Sequence, residues 1–548
     1  GALIDVSGVK DLELSAGRNS LMIDPVKRNE LRDTPNYRET NTTGEFTLNG
    51  STVFVDPRIT GVRDDGVAWT GSPLIEAGSA ASQIGVSAAE LMTEGGTVNL
   101  NVSILEGAQT VEAAPRVTIA EGATIDFSGG WVKYLPGIVR TSRLLTADGR
   151  VVDIASADPN DRFVAIGDGF TEVQAAFGIS RTYANSILQG ARFEAGYDEG
   201  RDAGALIVSA SAATLGGTLH GDAFAGLRQL TGAARPAGLS TLAGDPRRVQ
   251  TWANQLPAGG LLRIGAADRA NLTEQTADIV IGRAGTAAPQ GAIVLNSDML
   301  NAAGLGALSL RTTAGVSLAA GSDLRLANGG TLAIVAGRAV DLAGNITAPS
   351  GAITVTTQDF GRDIFGASLG SIGSPFRADD DLTGHYLADP ALRPFDITVS
   401  GRLSTAGLWI NDYLDSGSFG GSAWKDGGSI SLAVAPRVFV GLGGTPTAPE
   451  RAIDLSGSIR IADSAMLDVS AGGYVASDGG LELDGQGGDI ALINRTRYAA
   501  ATLTDTNTDN TARGGLALGG TNQTVQFTPY AVGDTMVAPA LVPDEQIA

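Results

Sequence analysis

The chain has 548 residues and no cysteine, and its 59 acidic residues outnumber 38 basic ones to give a formal net charge of -21. The lack of cysteine excludes disulfides, thiolate catalysis and cysteine-ligated metal, while the acidic balance argues against nucleic-acid binding by phosphate neutralisation. Glycine, at 75 residues, is about twice as frequent as its usual share of roughly 7% and follows no collagen period, so many tight turns are expected.

The chain opens on a repeat element. Residues 4–8 (IDVSG) match elements that recur deep inside the chain, and the first eight residues lack the charged and apolar regions of a signal peptide. No stretch approaches the ~20 apolar residues that span a bilayer. Either the chain is cytosolic or these are not its natural ends, and the internal repeat favours the second interpretation.

The next segment, at residues 20–75, is polar and charged and lacks the regular spacing found later, so an insertion is predicted there. Residues 87–90 (SAAE) then form a capping box, in which serine and glutamate each bind the other's backbone at a helix N-terminus. One short helical turn is therefore predicted.

A Gly-Gly-x-aliphatic-x-aliphatic motif follows. Its glycines suit a sharp corner, and the alternation after them predicts a short strand with one buried side. Copies occur at residues 95–100, 329–334, 427–432 and 487–492.

A second motif reads aliphatic-Asp-aliphatic-Ser, followed by small residues and often an aromatic. Its aspartate lies between two residues expected to be buried and is predicted to face outward, and the glycines after it reverse the chain. Copies occur at residues 125–131, 453–457 and 467–474.

Two segments, at residues 146–200 and 218–275, break these patterns and are predicted insertions. Around the start of the first, Asp148-Gly149 lies between Leu144-Leu145 and Val151-Val152, which predicts a hairpin. Within the second, Asp245-Pro246 followed by apolar residues on one face predicts a helix over residues 245–256.

The clearest periodicity lies in residues 306–356, where aliphatic doublets alternate with small turn residues. Such short strands are too brief for wide hairpin sheets, and three of them make one triangular coil of roughly twenty-odd residues. The doublets are Leu308/Leu310, Val316/Leu318, Leu324/Leu326, Leu332/Ile334, Val340/Leu342 and Ile353/Val355.

These patterns predict an all-β fold: a right-handed parallel β-helix, or solenoid, with short strands, glycine-rich turns and loop or short-helix insertions. Each strand is expected to pair in parallel with its equivalent in the next coil, which satisfies the backbone and buries an aliphatic core. Residues 1–548 are interpreted as one continuous segment of a longer chain. Insertions are predicted at about 20–75, 146–200, 218–275 and 358–425, with an irregular tail at about 500–548.

The motifs at residues 125–134, 193–206 and 467–474 resemble those of filamentous haemagglutinin-like large exoproteins of two-partner secretion. The resemblance covers most of the chain loosely. It implies a right-handed parallel β-helix, exported through an outer-membrane β-barrel transporter and held at the bacterial cell surface or released. It also implies adhesion, aggregation or contact-dependent competition. The secretion domain and a toxin-like module of such proteins are not found, as expected for a central segment.

Residues with recognisable site chemistry are few. The two histidines, His220 and His385, lack metal-ligand spacing. Residues 379–381 (DDD) and the pair Asp198/Glu199 invite comparison with the paired carboxylates of β-helix enzymes that act on polysaccharides, but a solvated loop is the simpler interpretation. Residues 483–490 (LDGQGGDI) are similar to a calcium-binding β-roll repeat but occur once. No catalytic, cofactor-binding or metal-binding residue is predicted.

The aromatic residues allow two interpretations. Several follow glycine-rich corners, where an aromatic ring covers the gap above glycine or packs an insertion against the coil; the alternative is a carbohydrate-stacking platform. The set comprises Trp131, Tyr134, Trp252, Trp409, Trp424 and Tyr474.

The predicted function is therefore a secreted or cell-surface structural and adhesive exoprotein, a rigid rod that displays contact loops. Its expected partners are glycans or proteins of host or neighbouring cells, or other copies of itself. Two alternatives stay open: the subunit of an extracellular filament or sheath, and a β-helix polysaccharide lyase or hydrolase. An enzyme is not expected.

Overall fold

The structure is a computed structural model. It describes residues 1–23, 53–63, 66, 68–74, 87–102, 116–166, 170–174, 179–183, 189–210, 212–231, 256–265, 277–312, 314–357, 397–413, 420–434, 438–441, 451–454, 459–494, 530–532 and 535–537. The predicted helix at 245–256, His385, Trp252 and residues 379–381 lie outside the described residues, apart from Leu256.

The fold is mostly β, and most of its strands belong to parallel sheets. Sheet A has eight parallel strands, which lie in chain order. From one edge to the other they are Thr97–Asn101, Ala205–Ser209, Gly260–Ile264, Leu305–Thr312, Thr331–Ala336, Ala352–Thr357, Ser429–Val434 and Asp489–Asn494.

Sheet B has ten strands, all parallel except the last pair. Two neighbouring strands lie in reversed chain order, because Ile279–Gly282 is placed beyond Ile293–Asn296. In spatial order the strands are Arg116–Ile119, Ala212–Leu215, Ile293–Asn296, Ile279–Gly282, Val316–Leu318, Val340–Leu342, Ile397–Val399, Ile459–Ile461, Tyr530–Val532 and Thr535–Val537.

A third wall consists of two parallel sheets with a helix between them. Sheet C contains Leu3–Asp5, Thr124–Asp126 and Thr218–His220, and sheet D contains Asp323–Arg325, Asn345–Thr347, Arg402–Ser404 and Met466–Asp468.

The helix Ser297–Ala302 occupies a strand position in this wall. Its N-cap Asn296 accepts a hydrogen bond from the backbone N–H of Asp298 at 2.8 Å. On one side the N–H of Gly221, after sheet C, bonds the carbonyl of Ala303 at 2.7 Å. On the other side the Asn301 amide bonds backbone atoms of the first sheet D strand. Leu300 is fully buried, so it fills the core where a strand residue would.

Between Leu305 and Thr357 the chain visits sheets A, B and D in turn, then repeats the cycle. The aliphatic doublets predicted there are buried, and all their members lie on these strands except Leu326, which directly follows Asp323–Arg325. Their parallel register is confirmed, since Leu308 pairs with Leu332 and Leu332 with Ile353. We call these walls the parallel stack; one continuous aliphatic core lies between them.

The glycine motif has a clear steric origin. All four copies precede strands of sheet A, and each has a glycine that lies against a glycine at the start of a neighbouring strand. A Cβ atom on Gly428 would lie 1.8 Å from the carbonyl oxygen of Gly351. That same carbonyl accepts the N–H of Ser429 at 2.9 Å. Glycine is thus required because adjacent strands of sheet A approach too closely at their starts for a side chain.

Some predictions of segment character need revision. Gly260–Ile264 and Thr218–His220 belong to the parallel stack, although both lie within the segment predicted as an insertion at 218–275. Residues 259–264 (GGLLRI) are a further copy of the glycine motif, with Leu262 and Ile264 buried. In the segment 358–425, stack strands begin again at Ile397.

The copy of the aspartate motif at 453–457 also differs from the prediction. Its strand Arg451–Asp454 pairs antiparallel with Val438–Gly441 and is not placed in the third wall. The two strands are joined by residues 442–450, so local antiparallel pairing replaces pairing with a strand of the third wall.

A second region, the antiparallel layer, is built from segments near residues 20–75 and 131–200. Its strands pair antiparallel, except that Leu12–Ser15 pairs in parallel with Trp131–Leu135. They are Leu12–Ser15, Leu21–Ile23, Val53–Val55, Thr60–Val62, Ala68–Thr70, Trp131–Leu135, Gly137–Thr146, Val151–Asp153, Phe163–Ile166, Phe170–Gln174, Ile179–Tyr183, Gln189–Glu194 and Tyr197–Gly200. The predicted hairpin around Asp148 is confirmed, because Leu144 pairs with Val152. A separate core forms here, which includes Val53, Val55, Leu144, Ile154 and Phe163.

The remaining elements are short. Trp409–Asn411, Gly473–Val475 and Leu481–Glu482 form a small sheet. The other described helices are Ala88–Leu91 and Leu227–Thr231. Two 3₁₀ turns span Ala16–Asn19 and Ile154–Ser156. The predicted capping box is confirmed, because Ser87 and Glu90 bind each other's backbone. Among the described residues, no helix is long and apolar enough to cross a membrane.

Candidate ligand-binding cleft

A cleft of about 340 Å³ opens in the antiparallel layer, beside the helix Leu227–Thr231. Three segments far apart in sequence supply its walls. The lining residues are Asp56, Arg58, Ile59, Arg192, Glu194, Tyr197, Glu199 and Arg228.

Strand pairing positions one wall of this cleft. Gln189–Glu194 pairs antiparallel with Gly137–Thr146, and because alternate residues share a face, Arg192 and Glu194 project to the same side. In the adjoining strand Tyr197 pairs with Tyr134. Their rings stack with centroids 4.7 Å apart, which fixes the Tyr197 ring.

Arg58 is the centre of the charge network. Its guanidinium forms a two-point contact with Asp56, at 2.9 and 2.7 Å, and another with Glu194, at 2.5 and 2.7 Å. A further bond from its Nη1 reaches the Tyr197 hydroxyl at 2.9 Å. The three charged side chains are largely buried, so these contacts replace the water that the charges lose.

Two more arginines form the outer part of the cleft. Arg192 donates from Nη2 to Asp56 at 2.6 Å, and Arg228 donates from Nη1 to Glu194 at 2.5 Å. The Arg228 guanidinium also lies 3.7 Å from the Tyr197 ring centroid, a cation–π contact. Unlike Arg58, both side chains are about 40% exposed.

The electrostatics disfavour proton transfer here. Burial alone would raise the pKa of Glu194, but hydrogen bonds from Arg58 and Arg228 outweigh it and hold the pKa at about 2. Burial raises the pKa of Tyr197, against the opposing effect of Arg58. A carboxyl group that stays ionised and a phenol that stays protonated are poorly matched to acid–base catalysis at neutral pH. The arrangement is suited to holding a charged group.

The carboxylate pair considered from the sequence is not brought together. Asp198 is exposed, whereas Glu199 is buried on the other side of the strand. Glu199 forms an ion pair with Arg201 at 2.5 Å.

The other candidate site residues that the structure describes form no ligand-binding arrangement. Asp484, in the glycine-rich segment 483–490, forms an ion pair with Lys425 at 2.7 Å. His220 is the register partner of Asp126 in the parallel pairing of sheet C. The described residues contain no group of three or more potential ligands placed to hold a metal ion.

Several aromatic residues have structural contacts. The Trp131 indole donates to Asp11 at 2.9 Å and its ring packs against Phe224. Tyr474 is buried and its hydroxyl donates to Asp412 at 3.1 Å. Trp424 lies over Gly329, where a Cβ atom would come within 2.5 Å of its ring. These positions agree with the packing interpretation.

Trp409 combines both interpretations. Its ring lies over Gly473, 2.6 Å from the position of a Cβ atom there. Yet 70% of the residue is exposed, so its outer face is open to solvent at the small sheet.

Comparison with known proteins adds no relationship: no protein-family model, no curated protein and no solved structure matches this chain. The family resemblance suggested by the sequence motifs therefore stays a prediction. Inference about function starts from the stack and the cleft.

Proposed function

We propose that this chain is a right-handed parallel β-helix that serves as a structural and adhesive exoprotein at the bacterial cell surface. The stack is the rigid support, and the antiparallel layer is a contact surface carried on it. The proposal follows the resemblance to filamentous haemagglutinin-like exoproteins, including export through an outer-membrane β-barrel transporter. Contact partners are glycans or proteins of host or neighbouring cells.

The cyclic use of three parallel walls supports the solenoid part of this proposal. Sheets A, B and D receive successive strands with matched registers over Leu305–Thr312 to Ala352–Thr357. Connections between parallel strands of one sheet are right-handed in about 98% of cases. A left-handed path in an experimental density map would contradict the assignment.

The antiparallel layer supports the adhesive part, and this is the observation that carries the proposal. It has its own core, separate from that of the stack, and it presents a polar cleft. The cleft carboxylates Asp56 and Glu194 are both engaged by arginines, so binding is favoured over catalysis. We infer that the chain is not an enzyme.

The test is an adhesion assay with beads coated by the purified chain, on surfaces coated with bacterial or animal cell-surface polysaccharides. We expect retention on at least one surface, with no release of reducing ends or unsaturated sugar products. The control is Leu144→Asp, which places a charge in the core of the layer, where Leu144 is fully buried; its circular dichroism should keep the β signal of the stack.

Retention should be lost in Leu144→Asp, because the contact surface would no longer fold. Equal retention by this variant would place the contact elsewhere, and failure of the unmodified chain to bind any surface would contradict adhesion. Cleavage of a polysaccharide would favour the lyase or hydrolase alternative.

A further inference from the structure

The outer arginines of the cleft are placed to receive a ligand. Building on the adhesive function above, we propose that Arg192 and Arg228 bind the carboxylate of an acidic saccharide, with one sugar unit seated in the cleft. The interaction is a binding site within the contact surface, and no bond is made or broken.

The charge balance of the cleft favours an anion. Arg58, Arg192 and Arg228 surround two carboxylates, Asp56 and Glu194, which leaves an excess of one positive charge. The remaining lining carboxylate, Glu199, is neutralised by Arg201. This local excess lies in a chain whose formal net charge is -21, so the cleft is a preferred place for a negative group.

The three cleft arginines differ in how many of their guanidinium nitrogens already bind carboxylates. All three nitrogens of Arg58 bind Asp56, Glu194 or Tyr197. Arg192 and Arg228 bind the described carboxylates through a single terminal nitrogen each. A guanidinium has five donors in a planar fork that matches a carboxylate, and both side chains are about 40% exposed. Each arginine can thus receive a ligand while keeping its internal partner.

The arginines are also held in place before a ligand arrives. Arg228 lies against the Tyr197 ring, which is stacked on Tyr134. Arg192 is tied to Asp56, which is 1% exposed. Side chains that are already ordered lose less conformational entropy on binding.

Size and polarity point to a sugar. The cleft volume of about 340 Å³ lies at the lower end of the roughly 300–1,000 Å³ typical of small-molecule sites. Ile59 is the aliphatic residue of the lining, and the other members are charged or, for Tyr197, hydroxylated. Such a wall offers little apolar area to a peptide, whereas a hydroxyl-rich ring with a carboxylate matches it.

The test is titration calorimetry of the whole chain with a galacturonic acid trisaccharide, its full methyl ester, and an acetylated aspartyl peptide. We expect the acid trisaccharide to bind, the uncharged ester to bind at least tenfold more weakly, and added salt to weaken the acid form. Arg192→Gln and Arg228→Gln should each weaken binding about tenfold to a hundredfold, since each removes charge-assisted hydrogen bonds.

The matched control is Arg150→Gln. Arg150 is also an arginine of the layer paired with aspartate, but it is 57% exposed and is not part of the cleft lining; this variant should bind normally. Ile59→Trp provides an independent check, because it fills the cleft while leaving every arginine in place. Its binding should be lost even if the arginine variants prove less stable.

Three results would overturn the site: equal affinity for acid and ester, unchanged affinity in both arginine variants, or full binding by Ile59→Trp. Stronger binding of the aspartyl peptide would replace the saccharide with an acidic protein segment. The adhesion assay separates the two proposals, since bead retention that survives Arg192→Gln and Arg228→Gln would leave adhesion standing and remove this site.

Discussion

The parallel stack and the antiparallel layer are stabilised in different ways. The stack repeats one contact, in which aliphatic residues such as Leu308, Leu332 and Ile353 follow one another in register. The layer depends on individual contacts across long sequence distances, such as the pair of Arg58 and Glu194, which are 136 residues apart. Buried charged side chains are prominent in and beside the layer. Repetition suits a support, and unique polar contacts suit specific recognition.

The largest expected effect on stability concerns the corner glycines of the parallel stack. Gly428→Ala would put a Cβ atom 1.8 Å from the carbonyl oxygen of Gly351, which lies at the start of the neighbouring strand of sheet A. The backbone on both sides is hydrogen-bonded within sheet A, so the clash forces adjacent strands apart. We expect a loss of about 3 kcal/mol or more in the free energy of unfolding, measured by urea denaturation.

Gly487→Ala is the matched control, because it changes a glycine of the same motif before the next strand of sheet A. Its Cβ atom would meet the nearest neighbour, the carbonyl oxygen of Val469, at an ordinary 3.7 Å. This variant should be close to neutral. Equal loss in both variants would mean that glycine serves backbone flexibility at these corners, and not close approach.

The second effect concerns the layer and its charges. The pKa of Glu194 is about 2 in the folded chain, below the usual value of about 4.3. Its ion pairs therefore contribute stability that is fully present above about pH 5 and is lost as the pH falls towards 2. We expect the layer to lose on the order of 2 kcal/mol in this window and to open before the stack. Hydrogen exchange of residues 189–200 and 331–357 would measure the order.

Glu194→Gln should remove most of this pH dependence and lower the stability of the layer at neutral pH, because Arg58 and Arg228 lose a charged partner. Faster exchange in the stack than in the layer at low pH would contradict the comparison. Asp468, whose pKa is lowered first by the Ser470 hydroxyl, also titrates in the stack, but its ion-pair partner Arg402 is 51% exposed, unlike the largely buried Arg58.

The two regions differ in how much of their structure the sequence predicts, because the layer depends on contacts between residues far apart in sequence. The stack is predictable because the doublets, the glycine corners and the strand order are local patterns. The copy at residues 259–264 (GGLLRI) carries the same local signal. The helix Ser297–Ala302 is harder to predict, although Asn296 before Ser297-Asp298 is an N-cap signal. Nothing local shows that Leu300 replaces a strand residue in the core.

The cleft could not be predicted from the sequence. Alternation places Arg192 and Glu194 on one face of a strand, but it does not identify Arg58 and Asp56 as their partners. The polar segments 20–75 and 146–200 were each predicted as insertions, with no signal that they share a core. Asp198 and Glu199 are adjacent in sequence, yet the alternation along their strand places their side chains on opposite faces.

The smallest effect tests the third-wall corners. In three copies of the aspartate element, a serine two residues later donates from both N–H and hydroxyl to the aspartate; for Asp468 and Ser470 the distances are 3.1 and 2.8 Å. The same pattern joins Asp5 to Ser7 and Asp126 to Ser128. These corners are thus closed by hydrogen bonds, whereas those of sheet A are closed by glycine.

Ser470→Ala should cost about 1 kcal/mol, the typical value of one hydrogen bond, and it should raise the pKa of Asp468 towards its usual range, because the Ser470 hydroxyl is the main cause of its lowering. Carboxyl-carbon NMR titration measures that pKa. Ser464→Ala is the control, since the Ser464 hydroxyl bonds the Ser400 carbonyl and not a carboxylate. An unchanged Asp468 pKa in Ser470→Ala would mean that Arg402, 2.6 Å away, sets the charge of this corner. The serine of the motif would then act through its small size, as glycine does in sheet A.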